Sequence, residues 1–399
     1  MSNSIDQTFN APRVLWAMAF ISMVATLLVN GMPVVVGTLG EAYAIPNDQL
    51  GLLASGFLTG QFVVVCSSIF WVRRVNWRRT SLIGIASSLV LLVVLILKPS
   101  HSAFTVSFAL LGATMACFYV PVLAYWSDAD DPSRAVSIGI LLQVLGASLF
   151  MFVVPAWLAP RWGVKGLVGF LIGALVLSLI VAPLIPNSGR QRLAKPKADS
   201  TPNIPFARAD FLPLAGLTIM ALYHVGLFGL WAFMGRIGGA HGLTTEATAS
   251  ALSVSLLAGS SAMVLTSIIG DRFGYIKPMI LSGALYVAFL TIMPLARTPV
   301  LFLPALILFN LAWNGALPYQ IGIIAKADSG GRYFVLLPAF QAAGAAAGPY
   351  AAGLLSVDGN YRSIYLLFVG SALVSFIGFS AIATRMRLVP SAQLIGAQS

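Results

Sequence analysis

Charge is what this chain has least of. Only 9% of its 399 residues are charged, against 58% hydrophobic, and the mean hydropathy is +0.91. A soluble globular domain carries roughly 25% charged residues. No soluble fold of this length could hide so much apolar surface, so the surrounding medium is lipid. In lipid every backbone polar group needs an internal partner, which leaves helices or closed barrels. The apolar runs are helix-length and do not alternate residue by residue, which argues against a barrel. Cysteine is nearly absent: Cys66 and Cys117 lie inside apolar runs, as small packing residues rather than a disulfide or metal pair. The three histidines, His101, His224 and His241, are scattered. An intramembrane hydrolase would need clustered His, Asp, Glu or Ser–His sets at helical spacing. A Gly-x-x-x-x-Gly-Lys-Ser/Thr loop is missing, which opposes an ATP-driven pump.

What is there is a series of apolar runs, each close to the roughly 20 residues a bilayer crossing takes. Twelve spans are expected, over 13–37, 48–72, 80–97, 103–126, 135–158 and 166–186, then 211–236, 248–270, 278–296, 299–325, 333–355 and 364–384. The polar head Met1 to Asn10 leads into a run too long for a signal core, so the first span is expected to be retained. One long polar segment, rich in Pro, Lys, Arg and Ser, separates the sixth span from the seventh. The expected organisation is therefore a six-helix unit over 1–186, a linker over 187–210 and a second six-helix unit over 211–399.

The net charge of +11 has a topogenic reading rather than a nucleic-acid one. Lys and Arg accumulate in cytoplasmic loops. With both termini inside, 17 of the 23 Lys and Arg fall on the inner face and six on the outer. That orientation also puts a charged hairpin inside, Ser267-Ile268-Ile269-Gly270-Asp271-Arg272-Phe273-Gly274-Tyr275, between spans eight and nine. This hairpin resembles the Gly-x-x-x-Asp-Arg-x-Gly-Arg-Arg loop of the major facilitator superfamily. Asp271, Arg272 and Gly274 match the pattern, while Ser267 stands at its first glycine and Tyr275 at its first basic position. The first half carries a degenerate copy, Trp71 to Arg79, with Arg73 where the acid is expected and Asn76 where the glycine is. The nearby loop Ser127 to Arg134 supplies acids. It gives two readings of equal weight: a charge-swapped latch of Arg73 and Arg74 with Asp128, Asp130 or Asp131, or a solvated loop pair serving topology alone.

The resemblance implies an all-α membrane protein of twelve transmembrane helices in two pseudo-symmetric six-helix bundles around a central cavity, a monomer of the cytoplasmic membrane needing no cofactor. In that fold spans 1, 4, 7 and 10 line the cavity, spans 2, 5, 8 and 11 form the moving interface, and spans 3, 6, 9 and 12 face lipid. The composition of the spans agrees: the third, sixth, ninth and twelfth are nearly all aliphatic or small. A polar side chain facing lipid is costly, so polar groups gather inside. The expected substrate contacts are Asn30, Tyr119, Gln143, Tyr223, His224, Trp231, Asn310, Trp313, Asn314 and Gln341. His224, Phe228 and Trp231 share one helix face at i, i+4 and i+7, as do Asn310, Trp313 and Asn314 at i, i+3 and i+4. Trp71, Trp77, Trp126 and Trp162, near span ends, fit interfacial anchors better. His224 is the one ionisable group well inside a span. It is either a proton carrier or a neutral tie between helices. Glu41 and Asp48 are weaker coupling candidates, better read as a solvated rim.

Many proton-driven drug antiporters of the superfamily carry a buried Arg in the fourth span, and cation exporters a carboxylate in the first. This chain has neither at those depths. The antiporter sequence Gly-x-x-x-Gly-Pro belongs in the fifth span; its likeness here, Gly344 to Pro349, falls in the eleventh as a close-packing and bending device. A near-neutral cavity suits a small neutral or weakly charged solute with an aromatic or amphipathic body, moved with protons by alternating access. Efflux stands ahead of uptake of a neutral nutrient such as a vitamin, nucleoside or aromatic compound, and an intramembrane enzyme is a remote third reading.

Overall fold

The computed structural model describes residues 9, 11–96, 101–130, 132–189, 211–269, 272–328, 333–356 and 360–388. Most of the expected linker, together with Asp131 and Asp271, lies outside them. The first six spans are α1a (Pro12–Asn30) with α1b (Met32–Tyr43), α2 (Asn47–Trp71), α3 (Trp77–Ile96), α4 (His101–Asp128), α5 (Pro132–Val153) and α6 (Val164–Val181). The last six are α7 (Phe211–Ala240), α8 (Thr245–Ile269), α9 (Ile276–Ile292), α10 (Pro299–Ala327), α11 (Leu337–Leu355) and α12 (Arg362–Leu388). Eleven helices among the described residues are long and apolar enough to cross a membrane; α11, rich in Ala and Gly, is the remaining span.

The first span differs from its expectation. It is broken at Gly31 and runs on to Tyr43. Pro33 cannot continue the hydrogen-bond ladder, and the Phe150 ring occupies the space a Cβ at Gly31 would need. The break separates two jobs. α1a packs within its own half on α5 and α4, whereas α1b packs across on α7.

The two halves repeat one packing scheme. α2 packs on α4 and on α11; α8 packs on α10 and on α5. Exchanging the halves maps one set onto the other, the signature of a pseudo-twofold. The outward faces of α3, α6, α9 and α12 carry exposed Ile83, Val90, Ile180, Val287 and Ile377, as lipid-facing helices should.

With an even number of crossings, Pro12 and Leu388 share one face, here the terminal face. The contacts between halves gather away from it. Ser148 and Ser253 exchange hydroxyl-to-carbonyl bonds of 3.2 and 2.8 Å. Trp231 Nε1 donates to the Asn30 carbonyl at 3.0 Å. The Tyr350 amide, just past Pro349, donates to Ser55 Oγ at 2.8 Å. Gly51 lies so close to Pro349 and Gly353 that a Cβ there would sit 3.0 Å from the Gly353 Cα. Small residues let these backbones meet. Beyond this seam a cup of about 680 Å³ opens on the far face, rimmed by Glu41 and Glu246. Asp48 is exposed nearby. The inner stretches of α2 and α8 instead leave Ile69, Phe70, Val264 and Ile268 exposed. The described hydrogen bonds between the halves thus lie toward the far face.

Two predictions follow from the far face. Bulk at the seam should break it: in a chain lacking Cys66 and Cys117, Ser253→Cys should resist a membrane-impermeant maleimide applied from the far face and become reactive when Gly51→Leu is added. Unchanged labelling would refute the seam. His241, just past α7, donates from Nδ1 to the Ala296 carbonyl at 3.1 Å. Burial pulls its pKa down, helped by the charge of Arg297 and opposed by that hydrogen bond. Below its ordinary pKa of about 6.5 the unfolded chain binds the proton first, so stability falls with pH from there down through the lowered folded value. Thermal unfolding in detergent should show a smaller acid loss for His241→Gln than for the native chain.

Candidate functional site

The two helices that face each other across the second half, α7 and α10, carry an aromatic ladder. His224 stacks on Phe228 at 5.8 Å between ring centres. Phe228 meets Trp313 edge-on at 5.7 Å, and Trp313 meets Trp231 at 6.1 Å. Trp231 lies parallel to Phe309 at 6.2 Å. Helical spacing puts the α7 members on one stripe. Glycine brings α11 against the same stripe: a Cβ at Gly344 would sit 2.9 Å from the His224 Cβ.

His224 closes the ladder on the terminal-face side and is buried. Its Nδ1 lies 2.8 Å from the Met220 carbonyl. A carbonyl can only accept, so Nδ1 carries the proton and Nε2 presents a lone pair. Nε2 has no hydrogen-bond partner among the described residues, nor is it fully enclosed. This ring can accept a hydrogen bond or a proton. From the first half, Tyr119 lies beside Gln143, whose buried Nε2 has no hydrogen-bond partner among the described residues. Trp313, Asn314, Gln341 and the Asn30 side chain are half-buried, and Asn314 Nδ2 is spent on the Asn310 carbonyl at 2.9 Å.

Three expected contacts are placed elsewhere. Asn310 is 0% exposed and donates to Ser255 Oγ at 3.2 Å and to the Leu306 carbonyl at 3.1 Å, so it ties α10 to α8. Tyr223 is turned toward α9, where its hydroxyl meets that of Tyr286. Trp231 is spent on the seam through Asn30. Two of the four tryptophans expected as anchors are also buried. Trp77 lies under the segment after α6, its Nε1 donating to the Val72 carbonyl at 2.7 Å, and Trp126 packs on Gly139 and edge-on to Tyr119. Trp162 is exposed and Trp71 half-buried.

The degenerate loop of the first half is built around an ion pair. Arg73 forms a two-pronged salt bridge with Asp128, one prong to Oδ2 and the other from Nη2 to Oδ1 at 2.9 Å. The Asp128 side chain is 2% exposed and that of Arg73 50%. The carboxylate pushes the guanidinium pKa up against the opposing cost of burial. The chain leaving α6 is pinned beside it: the Trp77 amide donates to the Asn187 carbonyl at 2.8 Å, and Arg78 Nε to the Ile185 carbonyl at 2.9 Å. In the second half Gly274 holds φ +71°, a conformation glycine adopts freely, which explains that position of the motif. Arg272 is exposed, and the Lys326 ammonium lies 4.5 Å over the Tyr275 ring. Asp328, just past α10, mirrors Asp128 at the end of α4. It accepts from the Tyr333 and Phe334 amides at 2.8 and 2.7 Å. No motif pointed to Asp328; the signal was its equivalent place in the repeat.

Removing the Arg73 charge leaves Asp128 buried and unpaired. Arg73→Glu should lower stability by about 2 kcal/mol, toward the small side because Arg73 is half-exposed. Asp128→Arg added to it should restore most of the loss. Thermal unfolding and flux of both variants test this, and no rescue would reduce the pair to a bystander.

The family model for the Major Facilitator Superfamily matches residues 15–329. The fold is similar to that of a bacterial homologue of the human lysosomal transporter Spinster in an inward-facing, unoccupied conformation, at 14% identity and a TM-score of 0.72, covering 94% of this chain and 98% of that one. It is also similar to the nucleoside transporter NupG, at 13% identity and a TM-score of 0.70, covering 92% and 98%. No curated protein matches the chain. The match over most of the chain, with twelve helices in two repeated halves, places this protein in the major facilitator superfamily of transporters.

Proposed function

We propose that the protein is a proton-coupled carrier that exports a small neutral or weakly charged organic solute with an aromatic or amphipathic body. The units 1–186 and 211–399 rock about the seam as rigid bodies, joined by the linker 187–210. The terminal face is cytoplasmic, in keeping with its excess of Lys and Arg. The side away from the seam is then the cytoplasmic opening, and the protein acts as a monomer in the cytoplasmic membrane. The solute lies against Phe228 and Trp313, within reach of Asn314, Gln341 and the Tyr119–Gln143 pair.

The observation that carries this reading is His224: an acceptor nitrogen with no partner among the described residues, held in one tautomer at the end of an aromatic wall. A flat solute stacks on the ladder and its donor group reaches Nε2. The same nitrogen takes a proton when the solute leaves, which ties the two movements together. The few ionisable groups along the spans favour a solute with little charge. Uptake of a neutral nutrient, a nucleoside among them, is the second reading and requires solute and proton to be carried together rather than in exchange.

Metabolite profiling of cells with and without the protein selects the solute, and everted vesicles give the direction. Export predicts accumulation inside everted vesicles driven by a proton gradient. His224→Ala should reduce that uphill accumulation to the level of vesicles without the protein, while solute exchange without a gradient continues. Uphill transport by the variant would remove His224 from coupling. Accumulation inside intact cells would reverse the direction.

A further inference from the structure

A second cavity, of about 400 Å³, opens sideways between α9 and α12, with α10 and α7 as its floor. Ile280, Val287 and Leu373 on its walls are exposed, so its mouth meets acyl chains rather than water. No charged residue lines it. Its floor nonetheless holds Gln320, Ser375, Ser282 and the Tyr223–Tyr286 pair. Gln320 is 3% exposed; its Nε2 donates to Ser375 Oγ at 3.0 Å, and its Oε1 has no partner. A half-satisfied amide beside hydrocarbon is costly where a leucine would cost nothing, and polar residues kept at such positions mark sites of use. Gly283 leaves room as well: a Cβ there would meet only Phe376, at 3.9 Å.

We propose that this groove binds a neutral single-chain amphiphile from the bilayer, its hydroxyl head donating to Gln320 Oε1 and its tail lying along Ile280, Val287 and Leu373. A charged head would find no counter-charge there. The volume suits one small ligand body. The site is separate from the cleft between the halves and independent of the solute carried. Tyr223 nevertheless joins the two, since its ring meets the His224 ring edge-on at 5.6 Å.

The test is native mass spectrometry of the full chain in detergent, offered either monooleoylglycerol or methyl oleate, which has the same tail and no donor. The native protein should retain the glyceride about tenfold better, the effect of one net hydrogen bond. Gln320→Leu should abolish the preference, and Gly283→Phe, which fills the groove without touching the amide, should abolish retention. Equal retention of the two compounds, retention unchanged by Gly283→Phe, or displacement of the glyceride by a two-chain phospholipid would each overturn the proposal. None of these readouts involves transport, so a failure here leaves the carrier reading standing, and the reverse.

Discussion

A helix in hydrocarbon has no water to fall back on, so each hydrogen-bonding group must meet another group of the protein. That constraint decides where the polar side chains of this chain go. Many of its serines and threonines bond a carbonyl one turn back in their own helix, as Ser22, Ser88 and Ser178 do. A smaller set reaches across: Ser148 to Ser253, Ser55 to the Tyr350 amide, and Asn310 to Ser255. These few bonds, with the glycines that let helices approach, assemble the bundle. Polar atoms left over after that accounting are the informative ones, and His224 Nε2, Gln143 Nε2 and Gln320 Oε1 are among them.

Much of this was legible before any coordinates. Span number and order follow from helix-length apolar runs, and the lipid-facing helices from their lack of polar groups. The pairing of Arg73 with Asp128 could be anticipated because a basic residue stood where the family loop carries an acid and the nearest acids lay at the end of the fourth span. Less was legible in the site. Helical spacing tells which residues share a face, but not whether that face looks onto a cleft or onto another helix. Asn310 and Asn314 lie one turn apart on one stripe, and Gly259 packs on both, yet only Asn310 is tied to Ser255 and fully buried. Tyr223 and His224 are neighbours in sequence, and successive residues diverge by about 100° around a helix, so their polar atoms meet different neighbours of α7 although their rings touch. Ser255 and Gly259, a small pair at i and i+4 in α8, were the one local hint that something would pack there. The Gln320–Ser375 contact had none, since it depends on the distance between α10 and α12.

The antiporter-like sequence of α11 shows how a motif keeps its physics when it changes place. Gly344 and Gly348 bring α11 onto the carbonyls of Ala221 and Val225 in α7, and Pro349 frees the turn that meets Gly51 of α2. The same small residues thus press α11 against its own half and against the other one. A helix that serves as both core and seam is suited to a moving interface.

The strength of that seam bears on whether the molecule can switch. Within each half, helices are joined along their length by buried aromatic and aliphatic side chains. Across the halves, Ser148, Ser253, Trp231 and Tyr350 make hydrogen bonds among the described residues. Interhelical bonds in membrane proteins are worth about 0.6 kcal/mol each, so together these hold the far side shut with on the order of 2–3 kcal/mol. Reversing a two-state equilibrium from 1:99 to 99:1 takes about 5.5 kcal/mol of differential binding. The hydrogen-bonded part of the seam is thus about half of what such a full reversal spans. A seam of a few hydrogen bonds and small-residue contacts stays within the range that differential ligand binding can command.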